Sequence, residues 1–183
     1  AMNEYLNEYE YWQAKLEFER FFRHDFCDNY LEIVKEKIYK PEKYKAGTKQ
    51  KVSAQYALYH TFLAIIKLIA PYLPFITEEL YQTYYKNALK ADSIHRLSFP
   101  NNDIFPIAQD MTAISAAVDE LLIVIEKVRG YKTEKQLWLG TELTHLKVTA
   151  KNDLSVFADD IMSGTRAMKV SFEKWEEVNI GIE

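Results

Sequence analysis

The sequence predicts a mainly α protein. A helical bundle over residues 3–135 is followed by a small β-α-β-β unit over 136–183, a C-terminal α+β appendage. Three observations carry this. Apolar residues recur three and four apart through most of the first range, which places them on single helix faces. Only five glycines and five prolines occur in 183 residues, too few for a turn-rich all-β fold. After residue 145 the apolar period falls to two, the period of half-buried strands. A composition that is 48% hydrophobic and 14% aromatic suits one large domain, or one domain with an appendage.

Taken in order, residues 3–40 read as helix. Tyr5, Tyr9, Trp12 and Leu16 form one stripe, which then shifts to Phe18, Phe22, Phe26, Tyr30, Ile33 and Val34. The shift predicts a bend near 20–24. Pro41 ends the helix, because the residue before a proline avoids helical dihedrals. A lysine-rich loop over 41–48 closes on Gly47. The second helix, 49–71, carries Leu58, Phe62, Ile65 and Ile69 on one face and Ala57, Ala64 and Leu68 on another, as the central member of a bundle would. The longest apolar run, from Tyr56 to Ile76, is broken by His60, Lys67, Pro71 and Pro74, so it reads as a buried helix and implies no membrane partner. Pro74 opens a third helix reaching about Ala88, with Ile76, Leu80 and Tyr84 inward. A connector over 89–107 leads to a fourth helix, 108–132, with Ile114, Val118, Leu121, Ile125 and Val128 in register. Then Leu146, Val148 and Ala150 alternate as a strand. Asn152 or Asp153 caps a short helix that Gly164 ends, and two further alternating runs follow, Met168–Phe172 and Val178–Ile182.

Few residues offer chemistry. Among His24, His60, His95 and His145, none lies three or four positions from another, and His24 with Asp28 is a pair without a third ligand, so no metal site is expected. Cys27, alone, excludes an internal disulfide and reads as a small apolar residue in an aromatic helix. The pairs Glu78/Glu79 and Asp159/Asp160 are adjacent, and adjacent helical residues diverge, so they are solvated surface. No phosphate loop, dinucleotide fingerprint or nucleophile elbow occurs, and neither a catalytic residue nor a cofactor is expected within the chain itself.

Charge is the main asymmetry. The chain totals -4, yet Lys35 to Lys51 holds seven lysines against Glu36 and Glu42. Tyr39 and Tyr44 are interleaved. Lysines meet phosphate through charge and aromatics stack on unpaired bases, which is one reading; a solubilising helix end is the other. Lys127, Arg129, Lys132 and Lys135 cluster where the fourth helix closes, and there the helix dipole alone accounts for cations.

One segment points to ancestry. Phe21-Phe22-Arg23-His24-Asp25-Phe26-Cys27-Asp28-Asn29-Tyr30-Leu31-Glu32-Ile33-Val34-Lys35 resembles the signature helix of the anticodon-binding domain in class I aminoacyl-tRNA synthetases for branched aliphatic amino acids, the valyl members above all. The likeness continues at Ile69-Ala70-Pro71-Tyr72-Leu73-Pro74-Phe75-Ile76-Thr77-Glu78-Glu79-Leu80-Tyr81, at Ser93-Ile94-His95 and Phe99-Pro100, and from Val128 to Leu143. It spans roughly 10–145 and departs at Arg23 and Asn29, where that family often has Trp. The resemblance implies a helical bundle that positions a tRNA anticodon stem-loop. It also implies a partner relation to the remainder of a synthetase chain, in the cytoplasm. ATP and magnesium would serve the catalytic part, whose loops are not in this sequence, and the bundle would lack its first helix. Ala1 and Met2 read as a cloning remnant followed by a start codon. The tRNA-binding residues expected are Arg23, His24, Asn29, Glu32, Lys35, Lys40, Lys43 and Lys45. An isoleucyl or leucyl homologue and a helical protein-interaction scaffold are the alternatives.

Overall fold

The computed structural model describes residues 2–100 and 111–182. The helices are α1 (Met2–Asn7), α2 (Tyr11–Arg20), α3 (Leu31–Tyr39), α4 (Lys49–Ile69), α5 (Pro74–Tyr84), α6 (Lys86–Leu89), α7 (Met111–Glu134) and α8 (Ala158–Thr165). A π-helical stretch, Phe21–Tyr30, joins α2 to α3, and strands β1 (Leu146–Ala150), β2 (Val170–Lys174) and β3 (Asn179–Ile182) close the chain. The mainly α class with a small α+β end is therefore the observed one. The expected start of the fourth helix at 108 lies outside the described residues.

Contacts divide the chain into two compact units. One comprises residues 1–28 and 37–106, the other 29–36 and 107–183.

In the first unit the helix expected over 3–40 is interrupted. Tyr9 adopts a left-handed φ of 62°, which ends one helical phase and starts another. The first expected stripe therefore does not form a core: Tyr9, Trp12 and Leu16 are exposed and Ala14 is buried instead, while Phe18, the first residue of the shifted stripe, is buried as expected. The bend expected near 20–24 is the onset of the π-helical stretch. Phe18, Phe22 and Phe26 stack in series there, with ring centroids 5.8 and 6.2 Å apart.

Helix α4 is 21 residues long, and its most apolar window averages a hydropathy of 1.3, enough by length and composition to cross a bilayer. It was expected to be buried, but only Ala54, Ile65 and Ile66 along it are, and Val52 and Tyr56 are exposed. Its packing partner is α5, whose inner face sits one residue further on than expected. Thr77, Tyr81 and Tyr85 are buried, whereas Ile76 and Tyr84 are exposed. The tyrosine hydroxyls explain the phase. Tyr81 donates to the Ala91 carbonyl at 3.0 Å and Tyr85 to the Tyr59 carbonyl at 3.0 Å. Each ring fills apolar space while its hydroxyl satisfies a part-buried carbonyl, which Ile76 cannot do. Burial, with Tyr59 adding a smaller effect, pushes the Tyr85 phenol up to about 12.

In the second unit β1 is central, parallel to β2 and antiparallel to β3, in the order β2-β1-β3. Its inward residues Leu146, Val148 and Ala150 join Leu121, Val124, Ile125 and Val128 of α7, Ile161 of α8 and Ile33 of α3 in one core. Asp153 Oδ1 accepts from the Ser155 N–H at 2.9 Å, capping the turn that leads into α8. Gly164, expected to end that helix, lies within it, and Arg166 (φ 60°) makes the stop. The glycine is needed for approach: a Cβ there would stand 2.9 Å from Ile125 Cδ1.

Candidate nucleic-acid interface

The expected binding residues fall in both units. In the first are Arg23 and His24, on the π-helical stretch, and Lys40, Lys43 and Lys45, in the loop after α3. Arg23 and His24 are exposed, and His24 Nδ1 meets Asp25 Oδ1 at 2.7 Å. The Lys15 ammonium, at 2.8 Å, is the main reason the Glu19 carboxyl lies below its usual range, and Arg23 adds a smaller pull. Cys27 is half-buried, and burial, with Asp28 adding to it, raises its thiol, which makes it a poor nucleophile.

The lysine loop is a built turn. The Lys40 carbonyl accepts from the N–H groups of Lys43 at 3.2 Å and Tyr44 at 2.9 Å. Tyr44 is buried and pins the turn, while Lys43 Nζ lies 5.1 Å from the centre of its ring. Thr48 closes the far side, its Oγ1 donating to the Lys45 carbonyl at 3.0 Å. Gly47 takes a φ of 82° between them, a conformation glycine adopts without steric cost. Lys43 and Lys45 are exposed and Lys40 is half-buried. The loop therefore presents ammonium groups on a backbone its own hydrogen bonds hold, an arrangement suited to phosphate.

In the second unit are Asn29, Glu32 and Lys35. Glu32 and Lys35 pair at 3.0 Å with both side chains about half exposed. Asn29 is buried, and its Oδ1 accepts from Arg129 Nη1 at 3.0 Å. The pairings Arg129–Asn29 and Arg166–Glu36 are not legible in the sequence, because the partners in each lie 100 or more positions apart, and Arg129 reads there only as a helix-end cation. Sequence reading also took Lys132 for a helix-end cation. Lys132 is buried, and its Nζ donates to the carbonyls of Leu139, Thr141 and Thr165 at 2.9, 2.6 and 2.9 Å. Among the described residues no group of three or more His, Cys, Asp or Glu is placed to hold a metal ion.

The family described as the anticodon-binding domain of tRNA ligase matches residues 1–148. The chain belongs to that family. Relatives carry the likeness further along the chain. The valine–tRNA ligase of Rickettsia canadensis (strain McKiel) is 34% identical over 178 residues, 94% of this chain and 20% of its own length. That of Orientia tsutsugamushi (strain Boryong) is 36% identical over 157 residues, 81% and 17% respectively. That of Rickettsia rickettsii (strain Sheila Smith) is 35% identical over 184 residues, 100% and 21%. The chain thus spans about a fifth of the length of these relatives. In this anticodon-binding domain the family match ends inside β1, so α8, β2 and β3 lie beyond it, while the Rickettsia rickettsii relative aligns across them.

Proposed function

We propose that this chain is the part of a valine–tRNA ligase that holds the anticodon stem-loop of its tRNA. The family match over residues 1–148 carries the reading, and the valine–tRNA ligase relatives support the choice of amino acid. Lys40, Lys43 and Lys45 hold phosphates from their pinned turn. Lys35 adds a further phosphate contact, and the Glu32 carboxylate accepts from the amino group of an unstacked base. Arg23 and His24 supply exposed donors. ATP and magnesium serve the aminoacylation carried out elsewhere in a longer, cytoplasmic enzyme.

The test is a filter-binding titration of the chain against valine tRNA and isoleucine tRNA transcripts across a range of salt. Binding that favours valine tRNA and weakens steeply with salt is expected. Equal binding of both removes the valine assignment. No binding at low salt replaces the reading with a protein-interaction scaffold.

A further inference from the structure

The geometry points to Arg129 and Arg166 as positioning residues, which set the rotation of the 29–36 segment so that Glu32 and Lys35 face RNA. This rests on the tRNA reading above. Asn29, Ile33 and Glu36 are spaced four and three apart and therefore share one helix face. All three turn into the second unit. Ile33 joins the apolar core there. At one end Arg129 of α7 donates to the Asn29 carboxamide at 3.0 Å. At the other Arg166 Nη1 reaches Glu36 Oε1 at 3.2 Å, and that glutamate side chain is only 11% exposed.

The backbone under Arg166 is itself fixed. Its left-handed φ of 60° ends α8, and its carbonyl accepts from the Leu143 N–H at 3.0 Å. The preceding carbonyl, of Thr165, accepts from Lys132 of α7 at 2.9 Å. The segment is thus held at both ends by charge-assisted bonds and in the middle by apolar contact. A helix held this way cannot roll, and the residues between the anchors, Glu32 and Lys35, remain outward and about half exposed. Asn29 acts from inside this arrangement, through Arg129. A binding group performs best when partners behind it lock its orientation.

The experiment measures affinity of the whole chain for a fluorescent valine tRNA, with thermal unfolding as the check on folding. Arg166→Ala is expected to weaken binding about fivefold or more, the size of effect coupled neighbours show. Added to Glu32→Ala/Lys35→Ala, the same change is expected to cost nothing further, because the face it orients is already gone. The exchanged pair Glu36→Arg/Arg166→Glu is expected to restore affinity to within about twofold. Asn29→Asp, which keeps an acceptor for Arg129, is expected to bind as wild type, and Asn29→Leu to bind weakly; this pair decides the matter where Arg166→Ala does not fold. Loss by the same factor in both backgrounds, or no loss in a folded Arg166→Ala chain, overturns the inference while the tRNA reading stands. A wild-type chain that binds no tRNA overturns both.

Discussion

Lys132 is the residue whose environment departs furthest from what its side chain ordinarily prefers. An ammonium in an apolar interior is costly unless its donors are met. Here three carbonyls meet all three donors, and Thr165 is the last residue of α8, where the helix dipole concentrates negative charge. Burial, and then the charge of Arg166, still lowers its ammonium from the ordinary lysine range. Removing the donor strands the buried Thr165 carbonyl, at about 1–3 kcal/mol, and leaves the part-buried carbonyls of Leu139 and Thr141 unmet as well. Lys132→Met is therefore expected to destabilise the fold by about 3 kcal/mol or more, read from urea unfolding. A loss under about 1 kcal/mol, the size of one ordinary hydrogen bond, contradicts the account.

Glu78 gives the pH dependence. Burial works to raise its carboxyl, but hydrogen bonds from Gln82, Ser93 Oγ and the Ile94 N–H, with His95 nearby, outweigh burial and leave it lowered. A group lowered on folding adds stability above its unfolded value of about 4.5, and that stability fades as pH falls through the folded value. Glu78→Gln is expected to be less stable than wild type at pH 7, with the gap closing progressively below about pH 4.5. A gap that stays constant to pH 3 excludes the carboxylate as its source.

At the scale of elements, legibility in the sequence followed the kind of signal. Prolines placed the end of α4 and the start of α5 to within two residues, because a missing N–H and a fixed φ act locally, whereas the expected end near Ala88 misses the break between α5 and α6 at Tyr85. The strand at 146–150 appeared where the period changed, since alternation is fixed by the pleat. Helix phase was less accessible. A count of apolar positions favours Ile76, yet a tyrosine pays its way inward through a hydroxyl bond that only the fold reveals. Tyr9 likewise carries no turn chemistry, and the break it makes could not be read. The buried role of Asn29 depended on Arg129, a hundred residues away. The phase of α5 is open to test by paired substitutions. Tyr81→Phe is expected to cost about 1–2 kcal/mol, by leaving the Ala91 carbonyl unmet, while Ile76→Ser on the exposed face stays within about 0.5 kcal/mol. The reverse order in thermal melts would restore the face expected from periodicity.

At the scale of the molecule, net charge conceals the feature that matters most for binding. The chain totals -4, while the stretch from Lys35 to Lys51 holds seven lysines against two glutamates. A polyanion approaching within about 10 Å meets that stretch and not the average, because salt screens charges further off. The pinned turn keeps Lys40, Lys43 and Lys45 together, so they displace counterions as a group. Each phosphate neutralised steepens the fall of log affinity with log salt by about 0.7 to 0.9. Replacing the three lysines with alanine is thus expected to reduce that slope by about 2 to 3 for valine tRNA, with Tyr44 and the fold left intact by circular dichroism. The change in slope matters more than the change in affinity at one salt. A folding defect lowers affinity at every salt by a similar factor, whereas lost phosphate contacts flatten the line. An unchanged slope in a folded variant would place the tRNA phosphates elsewhere on the domain and leave the loop a solvated surface.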